Sequence, residues 1–215
     1  MKQEIGLSKQ YILVQDSGTT STGGNQEWLS DKTGKLYGCG LIAVTDLLHY
    51  ITEESWKEKY KYLEFVQDLR KRYVRLFYLG LTGWGVSRGL NRYFRSHHMQ
   101  YQAKWSVPKS KLKNAIRNML ERDLPVILSV GPNWPRIWGK QGVPIYRKNA
   151  RGELVKAQDI RAHYVTVIGM KDDVMKLISW GKVYYMRWDE YKAYLKNDSC
   201  GLFTNICYIS QVHEV

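Results

Sequence analysis

Apolar residues recur every three or four positions over 41–51, and this spacing predicts a helix with a largely buried face. The letters YGCG stand directly before it, at 37–40. Cys39 is therefore predicted at the amino end of a buried helix, where the flanking glycines are expected to give the backbone freedom to present the sulfur. The segment ahead, 18–28, is small and polar and predicts a loop.

Three further helices are predicted in the first half of the chain. A capping-box pattern at 55–58 (SWKE) begins an amphipathic stripe that continues to Leu76, so one long helix is expected there. Two shorter stripes, over 86–97 and 112–120, predict two more helices.

The second half changes to the two-residue period of β-strands. Alternating or short apolar runs bounded by turn residues predict strands at 99–105, 125–130, 163–170, 174–180, 183–188 and 205–212. A Gly- and Pro-rich loop is predicted over 131–144, and a short helix over 189–195. Helices followed by antiparallel strands predict an α+β fold.

The length of 215 residues fits one domain, or at most two small ones. No internal repeat or low-complexity tract divides the chain. Because the strand-rich half is not expected to stand alone, we interpret 1–215 as one domain of two lobes. The helical lobe covers about 25–122, and the strand-rich lobe covers about 123–215.

The composition excludes several classes of protein. Hydrophobic residues make up 44% and aromatic residues 13%, which excludes an intrinsically disordered chain. No window of 18 uncharged apolar residues is present, so a membrane-spanning helix is not expected. The first ten residues lack the apolar core of a signal peptide, and a cytoplasmic location is therefore expected.

The charge balance favours anionic partners. Lys and Arg number 33 against 20 Asp and Glu, which gives a net charge of +13. The basic residues are spread in clusters such as 57–59 and 70–72, which are typical of the solvated faces of helices. No nucleic-acid-binding motif is present, so nucleic acid is not the expected partner.

Three cysteines and five histidines are the candidates for chemistry. Cys200 and Cys207 are expected as buried, inert thiols, and no spacing suggests a disulfide framework, a metal site or a cofactor. At a helix start, Cys39 is expected to have a lowered pKa, particularly beside an imidazolium. His163 begins an apolar strand 124 residues later, where a fixed backbone suits a general base. The remaining histidines are His49, His97, His98 and His213. Spacing alone leaves a core role for Cys39 and His163 open.

Three short segments carry a family resemblance. The run YGCGLIAVTDLL at 37–48 resembles the nucleophile segment of papain-clan cysteine peptidases, and it is closest to the bacterial double-glycine (bacteriocin-leader-processing) peptidases. HYVTVIG at 163–169 resembles the segment that carries the catalytic histidine, and SWG at 179–181 resembles the motif that follows the third catalytic residue. The resemblance spans roughly 26–195. It implies a papain-like fold, in which a helical N-terminal lobe packs its nucleophile helix on an antiparallel C-terminal sheet.

The resemblance also implies roles for particular residues. Cys39 would attack a carbonyl carbon of a peptide or protein substrate, and His163 would hold the proton and deliver it to the leaving amine. An acyl transferase or a cell-wall amidase would use the same pair. The clan's oxyanion glutamine corresponds to Gln26, 13 residues before the cysteine, although the usual spacing is shorter and Thr33 occupies the nearer position. Either the extra residues loop out, or Asn25 donates to the oxyanion instead, or no side chain does so.

The third catalytic position departs from the family pattern. Relatives have Asn or Asp before the SWG motif, whereas this chain has Ile178, which accepts no hydrogen bond. Counting 16 residues from His163 gives Ser179 instead, which can orient the imidazole weakly while Trp180 shields the contact from water.

Two more residues are expected to bind or shield the substrate beside Trp180. They are Gly38 and Trp134, which stands in the loop GPNWP at 131–135. The alternative to an enzyme is a catalytically weak or inactive papain-like protein that binds an anionic partner.

Overall fold

The computed structural model describes residues 4–54, 56–76, 80–136 and 138–212. Its α-helices are α1 (Lys32–Tyr37), α2 (Cys39–Ile51), α3 (Lys59–Arg72), α4 (Gly83–Ser96), α5 (Leu112–Glu121) and α6 (Trp188–Asn197). One-turn 3-10 helices cover Gln26–Trp28 and Lys109–Lys111. The strands are β1 (Ile5–Gly6), β2 (Leu13–Asp16), β3 (Thr19–Thr22), β4 (Trp56–Glu58), β5 (Tyr101–Trp105), β6 (Val126–Val130), β7 (Val143–Lys148), β8 (Leu154–Ile160), β9 (His163–Lys171), β10 (Val174–Ser179), β11 (Lys182–Arg187) and β12 (Ile206–Gln211).

Most strands belong to one large sheet of order β5-β12-β6-β9-β10-β11-β7-β8, in which all pairings are antiparallel. β1 pairs with the far end of β9. A second, three-stranded sheet has the order β3-β2-β4. The predicted α+β class is confirmed. No helix in the described residues is both long and apolar enough to cross a membrane.

Strand β9 is the centre of the fold, because its side chains are buried from His163 to Met170. It pairs with β6 on one side and β10 on the other, while α2 packs against it. The continuous apolar runs of β9 and α2 explain this central position, since both elements can be covered on all sides without exposing a polar face. Consequently, His163 at the start of β9 is buried, and the partly buried Cys39 at the start of α2 packs against the core.

The small sheet corrects two expectations about the first 60 residues. The segment 18–28 is not all loop, because β2 and β3 form a hairpin around Ser17 and Gly18, which both have positive φ (44° and 88°). The capping-box prediction at 55–58 is also wrong. Trp56–Glu58 pairs in parallel with β2, and α3 begins only at Lys59 and ends at Arg72. Ser55 lies outside the described residues.

The strands of the main sheet come from both halves of the chain. β5 pairs along its length with β12, so the sheet crosses the predicted boundary near 123. The predicted loop over 131–144 is shorter than expected and ends at β7, which forms a hairpin with β8. The pattern missed β8 because five of its seven residues are exposed, so it lacks the alternation of a half-buried strand. The helices predicted over 86–97, 112–120 and 189–195 correspond to α4, α5 and α6.

Candidate active site

Cys39 is the first residue of α2, as predicted. The neighbouring glycines serve close packing rather than backbone freedom, because Gly38 has ordinary helical angles (φ −81°, ψ 0°). A Cβ at Gly38 would collide with the carbonyl of Gly34, and a Cβ at Gly40 would lie 3.0 Å from the ring of Tyr164. The glycines therefore let α1, the start of α2 and β9 approach one another around the sulfur.

His163 is the first residue of β9 and is buried. Its Nε2 lies 2.7 Å from Oγ of Ser179, the last residue of β10. The ring of Trp180 stacks on the imidazole with centroids 4.2 Å apart and an angle of 8° between the planes. Trp180 and Gly181 both have positive φ (48° and 69°), so the tight turn after β10 folds the indole over the histidine.

The contact predicted between Ser179 and the histidine ring is thus present. Because Nε2 faces the serine, Nδ1 is the ring nitrogen left for other chemistry. Ile178 is buried and supplies no acceptor.

Cys39 and His163 line one small cavity of about 20 Å³, which has room for about one water molecule. Gly24, Gln26, Ile42, Ala43, Asp46, Tyr164, Val165, Thr166, Ile178, Ser179 and Trp180 complete the lining. The backbone N–H of Tyr164, the residue after the histidine, hydrogen-bonds to the sulfur of Cys39 and favours the thiolate. Within the described residues, no hydrogen bond joins the thiol to the imidazole.

Burial favours the neutral forms of both side chains. It raises the pKa of the Cys39 thiol, although N–H groups of Tyr164 and Gly40 act in the opposite direction. Burial also lowers the pKa of His163 to about 3. The expectation of a lowered cysteine pKa is therefore wrong for this structure, because removal of the sulfur from water outweighs the helix start. At neutral pH the pair consists of a thiol and a neutral imidazole.

Gln26 is buried in the 3-10 helix and lines the cavity. Its Nε2 donates to the carbonyl of Lys35 at 2.6 Å. In one continuous helix that carbonyl would accept the N–H of Cys39. The break at Gly38 instead starts a new helix, so the Cys39 N–H has no backbone acceptor within the described part of the chain.

The structure also resolves the unusual spacing between Gln26 and Cys39. The extra residues form α1, which includes Thr33. Asn25 caps the 3-10 helix by accepting the N–H of Glu27 at 3.0 Å. Neither Asn25 nor Thr33 lines the cavity, so Gln26 is the amide brought to the thiol.

Several other predicted residues lie elsewhere. Trp134 is half exposed, its ring centroid lies 5.8 Å from that of Phe203, and it does not line the cavity, so its contact with a substrate stays a prediction. Cys207 is buried as expected, and burial raises its pKa to about 12, whereas Cys200 is only partly buried, so the same expectation is wrong for Cys200. His97 stacks on Tyr93. His213 lies outside the described residues.

Asp46 is the site residue that sequence reasoning missed. It is 2% exposed, lines the same cavity, and accepts hydrogen bonds from the backbone of Gly24 and the hydroxyl of Tyr62. Burial raises its pKa to about 7. A signal was available, because a single carboxylate within the apolar run of α2, seven residues after Cys39, falls on the same helix face.

No cluster of metal-ligating side chains occurs among the residues that the structure describes. Comparison with protein-family models and with curated proteins finds no match for this chain.

Proposed function

We propose that the chain is a cysteine peptidase or a related amide hydrolase of papain-like fold. One observation carries the proposal. The imidazole of His163 is held between Ser179 and Trp180, in the cavity that contains the thiol at the start of α2. A nucleophile, a base beside it and a group that orients the base are the elements of thiol acyl transfer.

Because the thiol and the imidazole are both neutral, the thiol proton must be transferred in the first step. Nδ1 of His163 takes the thiol proton while the sulfur attacks the carbonyl carbon, and a C–S bond forms as the carbonyl electrons move to oxygen. The donors proposed for that oxyanion are the backbone N–H of Cys39 and the second Nε2–H of Gln26, because the first is bonded to the carbonyl of Lys35. Because the cavity holds only about one water molecule, the carbonyl meets the pair at its mouth.

The second half of the reaction returns the proton. The oxyanion collapses, the C–N bond breaks, and the imidazolium of His163 protonates the leaving amine. Water then attacks the thioester with the same imidazole as base, which releases the acid and restores the Cys39 thiol. Transfer to an amine in place of water would use the same residues.

Ser179 supports a slower enzyme than a carboxylate would. In the proposed reaction the serine oxygen accepts Nε2–H, which leaves the lone pair on Nδ1, but a hydroxyl also fits the other tautomer and carries no charge to stabilise the imidazolium. The stacked indole of Trp180 keeps water from this hydrogen bond and holds the ring plane.

The proposal is tested with a mixed-sequence library of fluorogenic peptides. The wild type should release product, Cys39→Ala should release none, and the matched control Cys200→Ala should retain the wild-type rate, because Cys200 does not line the cavity. Equal hydrolysis by Cys39→Ala and the wild type would overturn the proposal, as would a wild type that hydrolyses no peptide, ester or amide in the panel.

A second candidate function is the binding of an anionic partner. A hollow of about 370 Å³ lies along β7, β8 and β11 and includes Arg147, Lys148 and Lys156. No carboxylate occurs among its described lining residues. Arg147 stacks over Tyr184, whose ring lies 6.0 Å from Trp180, so the hollow adjoins the candidate site. If binding is the function, Cys39→Ala should keep full affinity for a polyglutamate probe, and that affinity should fall steeply with salt.

A further inference from the structure

Asp46 connects the nucleophile helix to the Gly23–Gly24 loop and to helix α3. The backbone N–H of Gly24 donates to both carboxylate oxygens, at 3.0 and 3.1 Å, and the hydroxyl of Tyr62 donates to Oδ1 at 2.7 Å. Gly23 has φ +74°, and a Cβ there would lie 2.5 Å from Oδ2. A Cβ at Gly24 would collide with the hydroxyl of Tyr62. The glycine pair therefore lets main chain approach the carboxylate as no other residues would.

The same backbone unit reaches the other side of the site. The carbonyl of Gly24 accepts the N–H of Gly181 at 2.9 Å, and the N–H of Thr22 donates to the carbonyl of Gly181 at 3.0 Å. Gly181 follows Ser179 and Trp180 directly, whereas Gln26 stands two residues after Gly24. Asp46 is thus linked through Gly24 to the Ser179–Gly181 turn, which contacts the imidazole, and to Gln26 beside the thiol.

We propose that Asp46 is a positioning residue of the site, which holds Gly24 so that Gln26 and the Ser179–Gly181 turn keep their places around Cys39 and His163. The inference rests on the proposed function and adds a residue to it. Asp46 acts through the backbone and does not touch the reacting atoms. Its carboxylate is the form that accepts both donors, since a protonated carboxyl loses acceptor capacity.

The groups around Asp46 give this role a distinct pH signature. Tyr62 of α3 and Tyr11, ahead of β2, face the carboxyl, and burial raises the pKa of both phenols well above 10. Cys39 and His163 share the cavity with Asp46. Burial raises the pKa of the Cys39 thiol and lowers the pKa of the His163 imidazole to about 3. Among these groups, Asp46 is the one that changes charge near pH 7.

The experiment compares the wild type, Asp46→Asn, Tyr62→Phe and a matched control, Tyr50→Phe. Tyr50 lies on the same helix, and its hydroxyl donates to a different carboxylate, Asp123, at 2.6 Å. Asp46→Asn presents an amide to a site built for two donors and should lower kcat roughly ten- to a hundredfold, with KM within about twofold. Tyr62→Phe should lower kcat roughly three- to fivefold, and Tyr50→Phe should match the wild type.

Two further readouts separate positioning from general stability. The wild-type kcat should rise through about pH 7, and Asp46→Asn should lack this step. Amide hydrogen exchange at Gly24 and Gly181, measured without substrate, should speed up in Asp46→Asn and not in Tyr50→Phe. If Asp46→Asn fails to fold, Tyr62→Phe carries the same comparison.

The possible failures are distinguishable. If hydrolysis requires Cys39 while Asp46→Asn and Tyr62→Phe keep the wild-type kcat, pH profile and exchange rates, the positioning role is wrong. If no hydrolysis requires Cys39, the proposed function fails, and unchanged exchange at Gly24 and Gly181 would still reject the positioning role on its own.

Discussion

A buried histidine lies near each end of α2, and the two histidines differ in the groups that they contact. At the amino end, His163 faces Ser179, Trp180 and the cavity of Cys39. At the carboxyl end, His49 bonds Glu54 through Nδ1 at 2.7 Å, while its buried Nε2 has no hydrogen-bond partner among the described residues. Burial lowers the pKa of both rings, to about 3 for His163 and about 4 for His49.

The histidine with the carboxylate partner is not the one that lies beside the thiol. His49 has the stronger acceptor, but its ring is packed against Phe65 with centroids 4.5 Å apart, and it does not line the cavity of the thiol. His163 has only a hydroxyl partner, but it shares that cavity. A shared cavity with the thiol therefore distinguishes His163 from His49.

The largest expected effect comes from replacing each histidine with glutamine. His163→Gln should lower kcat for peptide hydrolysis by roughly a thousandfold, because it removes the general base. His49→Gln should leave kcat within about twofold and lower the free energy of unfolding instead. Steady-state kinetics and urea unfolding of both variants measure this. Equal loss of activity in the two variants would show that the sites do not differ as described.

Replacement of Ser179 should have the next largest effect on rate. Ser179→Ala removes the hydrogen-bond partner that orients the ring, and kcat should fall roughly tenfold. Ser179→Asp places a charge at the same position and should raise kcat, because a carboxylate stabilises the imidazolium. A rate unchanged in both variants would assign ring orientation to Trp180 alone.

Ile178→Asn should bring no gain, since Ser179 already occupies the position beside the ring. Ile178 is 3% exposed, and its Cγ2 would lie 2.8 Å from a Cβ at Gly23. The buried amide should lower the free energy of unfolding by about 2–3 kcal/mol. Urea unfolding gives the loss, and a kcat above that of the wild type would contradict the assignment of Ser179.

Stability should fall on acidification from about pH 6.5 to pH 5. His49 and His163 have folded pKa values below the unfolded value of 6.5, so the unfolded chain binds more protons and each histidine destabilises the fold as pH falls. Asp46 acts oppositely, because its folded pKa of about 7 exceeds the unfolded value of 3.8. The net slope should grow from roughly 0.3 kcal/mol per pH unit at pH 6.5 to roughly 1.2 kcal/mol per pH unit at pH 5.

His49→Gln should flatten that slope, since one histidine and Asp46 then nearly cancel. Urea unfolding of the wild type and the variant at pH 5.0, 5.5, 6.0 and 6.5 measures it. A variant with the wild-type slope would show that His49 is protonated in the folded protein.

Sequence alone yielded the elements whose apolar period is strong. Helix α2 and strand β9 carry continuous buried faces, and counting from His163 identified Ser179. The β2–β3 hairpin was missed because its threonines are polar and only a turn of two positive-φ residues shapes it.

What the sequence left open depends on packing between distant segments. The position of Gln26 follows from α1 bulging out between it and Cys39, and from a bond to a carbonyl nine residues away. The raised pKa of the thiol follows from burial at the meeting of α2 and β9. The apolar period of a segment predicts which face of that segment is buried, but it does not predict how deeply a residue such as Cys39 lies where two distant segments meet.

In the proposed reaction, the thiol of Cys39 becomes acylated while His163 acts as the base. This step can be observed by intact-mass spectrometry of the protein quenched during turnover of an activated peptide ester, followed by peptide mapping. We expect one acyl adduct on the peptide that contains Cys39, and its formation should be roughly a thousandfold slower in His163→Gln. An adduct on Cys200, or one on Cys39 that forms equally fast in His163→Gln, would contradict the proposed reaction.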